Sequence, residues 1–202
     1  TEIGIFEVGM DKKGEIDFLT KKIMPNIGVI TNISYAHIKN FKNLWGVAQA
    51  KSEIINNIAK DGYIILNADD NFFSFFKSKS IKKKLKIVTF GVKKKSDVNL
   101  IKIKKEKSLS IIYINFNKKK LKFIVKQNLE NYIYNILSTL AVISIYFDLE
   151  KLDKFFFNDY QFPEGRGDLN SIKLDKKKFN LIDESYNSNP LSCVLYTSVA
   201  AD

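Results

Sequence analysis

The 202-residue sequence is poor in several residue types: it has one cysteine (Cys193), one histidine (His37), one tryptophan and three prolines. A lone cysteine excludes an internal disulfide framework and fits a reducing compartment. No apolar run approaches the roughly 18 to 20 uncharged residues that cross a bilayer, and the amino-terminal TEIGIFEVGMDKKGE lacks the basic-then-apolar order of a signal peptide. A soluble, cytoplasmic protein without membrane insertion is expected. Arginine is scarcer still, because Arg166 is the only one among 33 cations. Readers of specific bases rely on arginine's two-pronged guanidinium, so the net charge of +11 does not by itself point to a nucleic-acid partner. Lysine runs at 82–84, 93–95, 118–120 and 176–178 fall between apolar stretches and read as solvated turns, with weak, salt-sensitive polyanion binding still open.

What is present suits a folded protein. Hydrophobic residues make up 45% and aromatic residues 13% of the chain, enough for one ordinary core or for a domain and part of another. Short, β-branched apolar runs at Ile3 to Val8, Ile27 to Ile33, Tyr63 to Asn67 and Lys86 to Phe90 predict buried strands. Between them, Ile16 to Ile23, Leu44 to Ala59 and Asn71 to Phe76 predict helices. This alternation implies an α/β protein with a parallel sheet. Three further strands, around 98–103, 109–116 and 121–125, lie between lysine-rich turns and predict a small antiparallel ribbon. Helices are expected over 131–147 and 152–157, then strands at 172–174 and 179–182. Pro163, Gly165 and Gly167 suggest a domain boundary near Gly165.

In open parallel sheets, ligands bind beyond the carboxyl ends of the strands. The residues after the predicted strands are polar: Glu7, then Asn32 and His37, then Asn67, Asp69 and Asp70. Together they could hold a divalent cation. Asp69 or Asp70 could equally cap a helix, His37 could be a hydrogen-bonded turn residue, and Lys51 could be an ordinary solvated helical lysine.

Taken in order, EVGMDKKGEI, VITNISYAHIKNFKNLWGVAQAKSEI, GYIILNADD, TFG, YNILSTLAV, PEGRGD and LIDESYNSNP resemble the Mur ligases, from about residue 2 to about Ser192. The resemblance implies the central domain of that family over 1–164: a mainly parallel sheet, like that of P-loop NTPases, with flanking helices and a small antiparallel ribbon. Residues 165–202 would begin the carboxyl-terminal α/β domain. DESYNSNP looks like the segment of the member that joins D-alanyl-D-alanine to UDP-N-acetylmuramoyl-tripeptide. Members adding the third amino acid tend to carry a DYAHTP type there, and folylpolyglutamate synthases a DGAHNP type.

The resemblance also implies cofactors and roles. ATP and magnesium would be bound, with Glu7 and His37 on the metal and Lys51 converted to a carbamate whose oxygens face it. Asn135 would read the adenine edge, Arg166 would contact ATP phosphate, and Asp183 would lie near the ribose hydroxyls. Tyr186, Asn187 and Asn189 fall in the nucleotide-facing loop. Lys51, His37 and Arg166 would be the catalytic group of a monomeric enzyme with small-molecule substrates.

Two departures stand out. No Gly-Lys-Thr or Gly-Lys-Ser loop occurs in these residues, although the family uses one to cradle the phosphates, and SCVLYTSVAAD at the end fits the family poorly. Both are what a truncated ligase without activity of its own would show. The usual His-Asn pair before YN reads Asn131 and Tyr132. The rival readings are another Mur ligase, a folylpolyglutamate synthase-like ligase, or a basic nucleic-acid-binding module.

Overall fold

The computed structural model describes residues 2–34, 41–160, 168–174 and 177–183. These fall in two compact units, 1–158 and 159–202. The boundary expected near Gly165 lies outside the described residues.

In the first unit, β1 (Ile27–Ile30), β2 (Tyr63–Asn67), β3 (Lys86–Gly91), β4 (Val98–Glu106), β5 (Leu109–Phe116) and β6 (Lys119–Lys126) form one six-stranded sheet in sequence order. β1 through β4 are parallel, and β4, β5 and β6 are antiparallel. The ribbon expected from the lysine-rich turns is therefore continuous with the parallel sheet. It joins through two register pairs, Phe90 with Val98 and Gly91 with Asn99.

The period of two along each strand sends alternate residues to opposite faces. Ile64 and Leu66 of β2 join Ile30, Ala48, Ile55, Ile58, Phe76 and Leu85 in a core under helices α2 (Leu44–Lys51), α3 (Glu53–Asn57) and α4 (Phe73–Lys82). α5 (Ile133–Ile143) packs on β2, β3 and β4 and buries Ile136, Leu137, Leu140 and Ala141. The second unit contributes a hairpin, β7 (Asp168–Leu174) with β8 (Lys177–Asp183).

Four expectations are corrected. Residues 3–8 form no strand, and Ile5 is 94% exposed. An apolar run becomes a strand only by joining a ladder, and none of the described ladders includes it. The helix expected over 44–59 is broken at Ser52. The Ser52 carbonyl accepts the amide of Ile55 at 3.1 Å and the Lys79 ammonium at 3.1 Å, and its hydroxyl back-bonds to Gln49. Residues 152–157 form turns instead of a helix. The Asp153 carboxylate accepts the amide of Phe155, and the carbonyl of Lys154 accepts the amide of Ile124 on the edge of β6. The helix over 131–147 is shorter than expected, preceded by a 3-10 segment, Gln127–Tyr132.

α1 (Glu15–Ile23) begins at Gly14, whose φ of 94° is unstrained only for glycine. No side chain of its own caps this helix; instead the nearly buried Glu53 carboxylate accepts the amides of Gly14 and Asp17. A negative charge at a helix amino terminus is favourable on both hydrogen-bonding and dipole grounds.

Gly62 turns the chain into β2 where a Cβ would lie 2.7 Å from the Asn26 carbonyl oxygen and 2.9 Å from that of Ala59. Gly62→Ala is expected to lower stability by about 1–3 kcal/mol in chemical denaturation, since backbone cannot move aside as a side chain can. Gly9→Ala, where nothing lies within 4 Å, should change stability little.

Candidate nucleotide site at the carboxyl rim of the sheet

The residues that follow β1 and β2 meet at one rim. Asn67, the last residue of β2, donates its side-chain amide to the Thr31 carbonyl at 3.0 Å and accepts the Asp69 amide at 2.9 Å. One side chain thereby ties the ends of two parallel strands together.

Asp69 is the most heavily bonded group at the rim. Its carboxylate accepts the backbone amides of Val92 (2.6 Å), Lys93 (3.0 Å) and Lys94 (2.7 Å), and the Tyr134 hydroxyl at 3.1 Å. Burial alone would raise this carboxyl, but the four donors outweigh it and hold its pKa below the ordinary 3.8. The Tyr134 hydroxyl is pushed up correspondingly by its burial and by the charge it faces. Asp70 bonds the Ile33 amide at 2.8 Å and the Phe72 amide at 2.8 Å. Neither carboxylate caps the helix that follows, whose amino terminus has no side-chain cap; both instead accept backbone amides of turns. Among the described residues, no group of three or more His, Cys, Asp or Glu could hold a metal ion.

Lys51 ends α2 and reaches back to the same rim, donating from Nζ to the Asn32 carbonyl at 2.9 Å. Burial pushes its ammonium below the ordinary lysine value, and the nearby Asp70 carboxylate partly opposes this. α2 is placed by its own amino-terminal cap, the Asn43 side chain accepting the Gly46 amide at 3.0 Å.

Beyond the rim lies a cavity of about 350 Å³, bounded by the strand ends at Thr31 to Ile33 and Asn67, the turn at Asp69 to Phe72, and Tyr134 with Asn135 at the start of α5. Its walls carry four asparagine side chains, of which Asn67 is engaged in tying the strand ends while Asn32, Asn71 and Asn135 are groups that can both donate and accept. Ligand pockets begin at about this volume, and the lining mixes polar side chains with the apolar Ile33, Leu44 and Phe72.

Of the residues singled out by sequence, Asn135, Asp69, Asp70, Asn67 and Asn32 meet at this cavity, and Lys51 is one hydrogen bond from it. Glu7 is exposed on an irregular segment. Asp183 ends β8 in register with Asp168. His37, Arg166, Tyr186, Asn187 and Asn189 lie outside the described residues. Tyr134 was not singled out by its sequence; its place beside Asn135 in YNILS was the available signal.

Because Asp69 titrates lower in the fold than in the unfolded chain, its contribution is complete above 3.8 and is lost as pH falls through the lower folded value. Asp69→Asn is expected to lower stability at neutral pH by about 1–3 kcal/mol. The gap between variant and parent should close as pH falls below 3.8 in acid unfolding monitored by circular dichroism. A gap independent of pH would contradict this assignment.

Residues 1–143 match the family model described as Mur ligase middle domain. The UDP-N-acetylmuramoyl-tripeptide--D-alanyl-D-alanine ligase of Rickettsia prowazekii (strain Madrid E) is 31% identical over 195 residues, covering 95% of this chain and 42% of that protein. A crystal structure of MurF from Acinetobacter baumannii superposes with a TM-score of 0.79 at 26% identity, covering 95% of this chain and 40% of that one. The MurF ligase of Thermotoga maritima, in complex with ADP, shares the fold with a TM-score of 0.75 at 20% identity, over 96% of this chain and 43% of that one. The chain thus spans about two fifths of the length of the relatives it matches. A match that runs over the whole six-stranded sheet and all of α5 places the chain in the Mur ligase family, on its middle-domain model.

Proposed function

We propose that the protein containing this chain is an ATP-dependent carbon–nitrogen ligase of peptidoglycan precursor synthesis, joining D-alanyl-D-alanine to UDP-N-acetylmuramoyl-tripeptide. The carrying observation is the amide-lined cavity at the rim, which brings Asn135 to the strand ends that also receive Lys51. The ligase activity named for the Rickettsia relative and the ADP in the Thermotoga structure support the reading. In this reading, 1–164 is part of a central ATP-binding domain and 165–202 begins a further one, in a monomeric cytoplasmic enzyme.

The residues present fit the nucleoside end of ATP. Asn135 lines the cavity and can pair with both a donor and an acceptor on the adenine edge. Asp183 would face the ribose, with Tyr186 and Asn187 in the nucleotide loop, and Arg166 would hold phosphate through its planar fork. For magnesium the donor set is narrower, because Asp69 and Asp70 are occupied by backbone amides. Glu7, His37 and an anionic Lys51 would hold it, and once bound it would neutralise phosphate charge.

The environment of Lys51 favours the chemistry that this role needs. Carbon dioxide reacts with the neutral amine, and burial raises the neutral fraction. Addition forms an N–C bond, releases one proton and leaves a carbamate anion, after the contact with the Asn32 carbonyl has broken. The reaction itself would transfer the γ-phosphoryl group to the tripeptide carboxylate. The dipeptide amine would then displace phosphate from the acyl phosphate, with the fixed charges of the site stabilising both steps.

Offered D-alanyl-D-alanine, diaminopimelate and glutamate in turn, the whole enzyme should condense only the first with its UDP-linked peptide substrate. Incorporation of either of the others instead would assign a different ligase. In the same enzyme Lys51→Ala should reduce turnover by on the order of a hundredfold or more, with partial recovery when a short carboxylic acid is added. Undiminished turnover in that variant would remove Lys51 from the mechanism.

A further inference from the structure

The chain's positive charge is not spread evenly. Between Val98 and Lys126 the sequence carries nine lysines and one acid, Glu106, so this ribbon holds eight of the eleven net positive charges. The strand register sorts them by face. Ser110, Ile112 and Ile114 of β5 are buried, which makes theirs the inner face. Lys105 and Lys119 share it, opposite Ser110 and Phe116, and both are neutralised, Lys105 by Glu130 at 2.6 Å and Lys119 by Glu150 at 2.7 Å.

The outer face differs. Lys102, Tyr113 and Lys122 stand in one row across β4, β5 and β6, with Lys120 opposite Asn115 in the next row of that face and Lys126 opposite Leu109 two rows away on the other side. These four lysines are exposed and, among the described residues, have no carboxylate partner. Only Lys104 on this face is paired, with Glu106 at 2.7 Å. These charges flank β5, which carries no charged residue of its own, so the face presents a field of one sign that an anionic partner would offset.

We propose that the outer face of the β4–β6 ribbon docks on an anionic lipid surface. A sheet face presents its ammonium groups on a near-planar lattice, with strands about 4.8 Å apart, and this matches a plane of headgroups better than the curved backbone of a duplex. Lysine suits this task because headgroup attraction needs point charges and no fixed fork. Sheets that read single strands stack bases on two or three aromatic rings. This face has the one ring of Tyr113, already covered by the Lys102 ammonium at 5.2 Å. The contact is superficial: among the described residues no helix is long and apolar enough to cross a membrane.

The test is co-sedimentation of the whole protein with vesicles of phosphatidylcholine alone or of phosphatidylcholine mixed with phosphatidylglycerol. Binding is expected only to the mixed vesicles and should weaken as salt rises. Each lysine near such a surface strengthens binding about fivefold, so Lys102→Gln with Lys122→Gln should weaken it about 25-fold. Lys82→Gln with Lys84→Gln removes the same charge outside the ribbon and should leave most of the affinity. Thermal unfolding serves as the folding check, and these exposed positions should leave it unchanged. Equal losses from both pairs, no loss from the ribbon pair, or no preference for the anionic vesicles would overturn the proposal. So would duplex DNA that displaces the protein from mixed vesicles at matched charge.

Discussion

The Asp69 carboxylate is the point on which the candidate site depends. It stands just beyond β2, yet its four bonds go to two other segments, the turn after β3 and the first turn of α5. Three successive amides converging on one carboxylate make a small anion cradle filled by the protein's own charge. The fourth donor, Tyr134, lies next to Asn135 and fixes how the start of α5 faces the strand ends. Remove the charge, and three amides and a hydroxyl lose their partner at once. The cavity would then lose the tie between its floor and one wall.

Behind the rim, a second polar cluster does for the helices what Asp69 does for the strand ends. Glu53 accepts the first amides of α1, while Lys79 of α4 bonds the carbonyl and hydroxyl of Ser52 between α2 and α3. Asn57 completes it, donating to Asp17 and Thr20 on α1. Burial lowers the Lys79 ammonium, and the charges of Glu53 and Asp17 partly oppose that shift. Its geometric effect is to set the direction in which Lys51, one residue before Ser52, leaves its helix.

The bounds of β2 were legible because it is a short apolar run buried on both faces, and those of β5 because its apolar residues alternate with a buried inner face. What failed were elements decided by partners distant in sequence. Residues 3–8 have strand composition but no ladder. The break at Ser52 is set by Lys79, 27 residues away. The ordered motifs brought Asn135 and Lys51 into view. They did not reveal Asp69 as a hub, because its partners are backbone amides, and Val92, Lys93 and Lys94 carry no side-chain signature of that role.

The electrostatics around Lys51 then constrain what modification there would do. As an ammonium it sits against the Asn32 carbonyl with Asp70 in attraction, and burial alone favours its neutral form. Converting it to an anion turns both relations to repulsion, since a carbonyl oxygen and a carboxylate now face negative charge. Asp70 cannot withdraw, because the Ile33 and Phe72 amides hold its two oxygens. An anionic Lys51 must therefore swing away from Asn32 or be neutralised by a cation brought to it. The same fixed carboxylate that steadies the lysine would thus make a carbamate at this position, if one formed as proposed, dependent on a counter-charge.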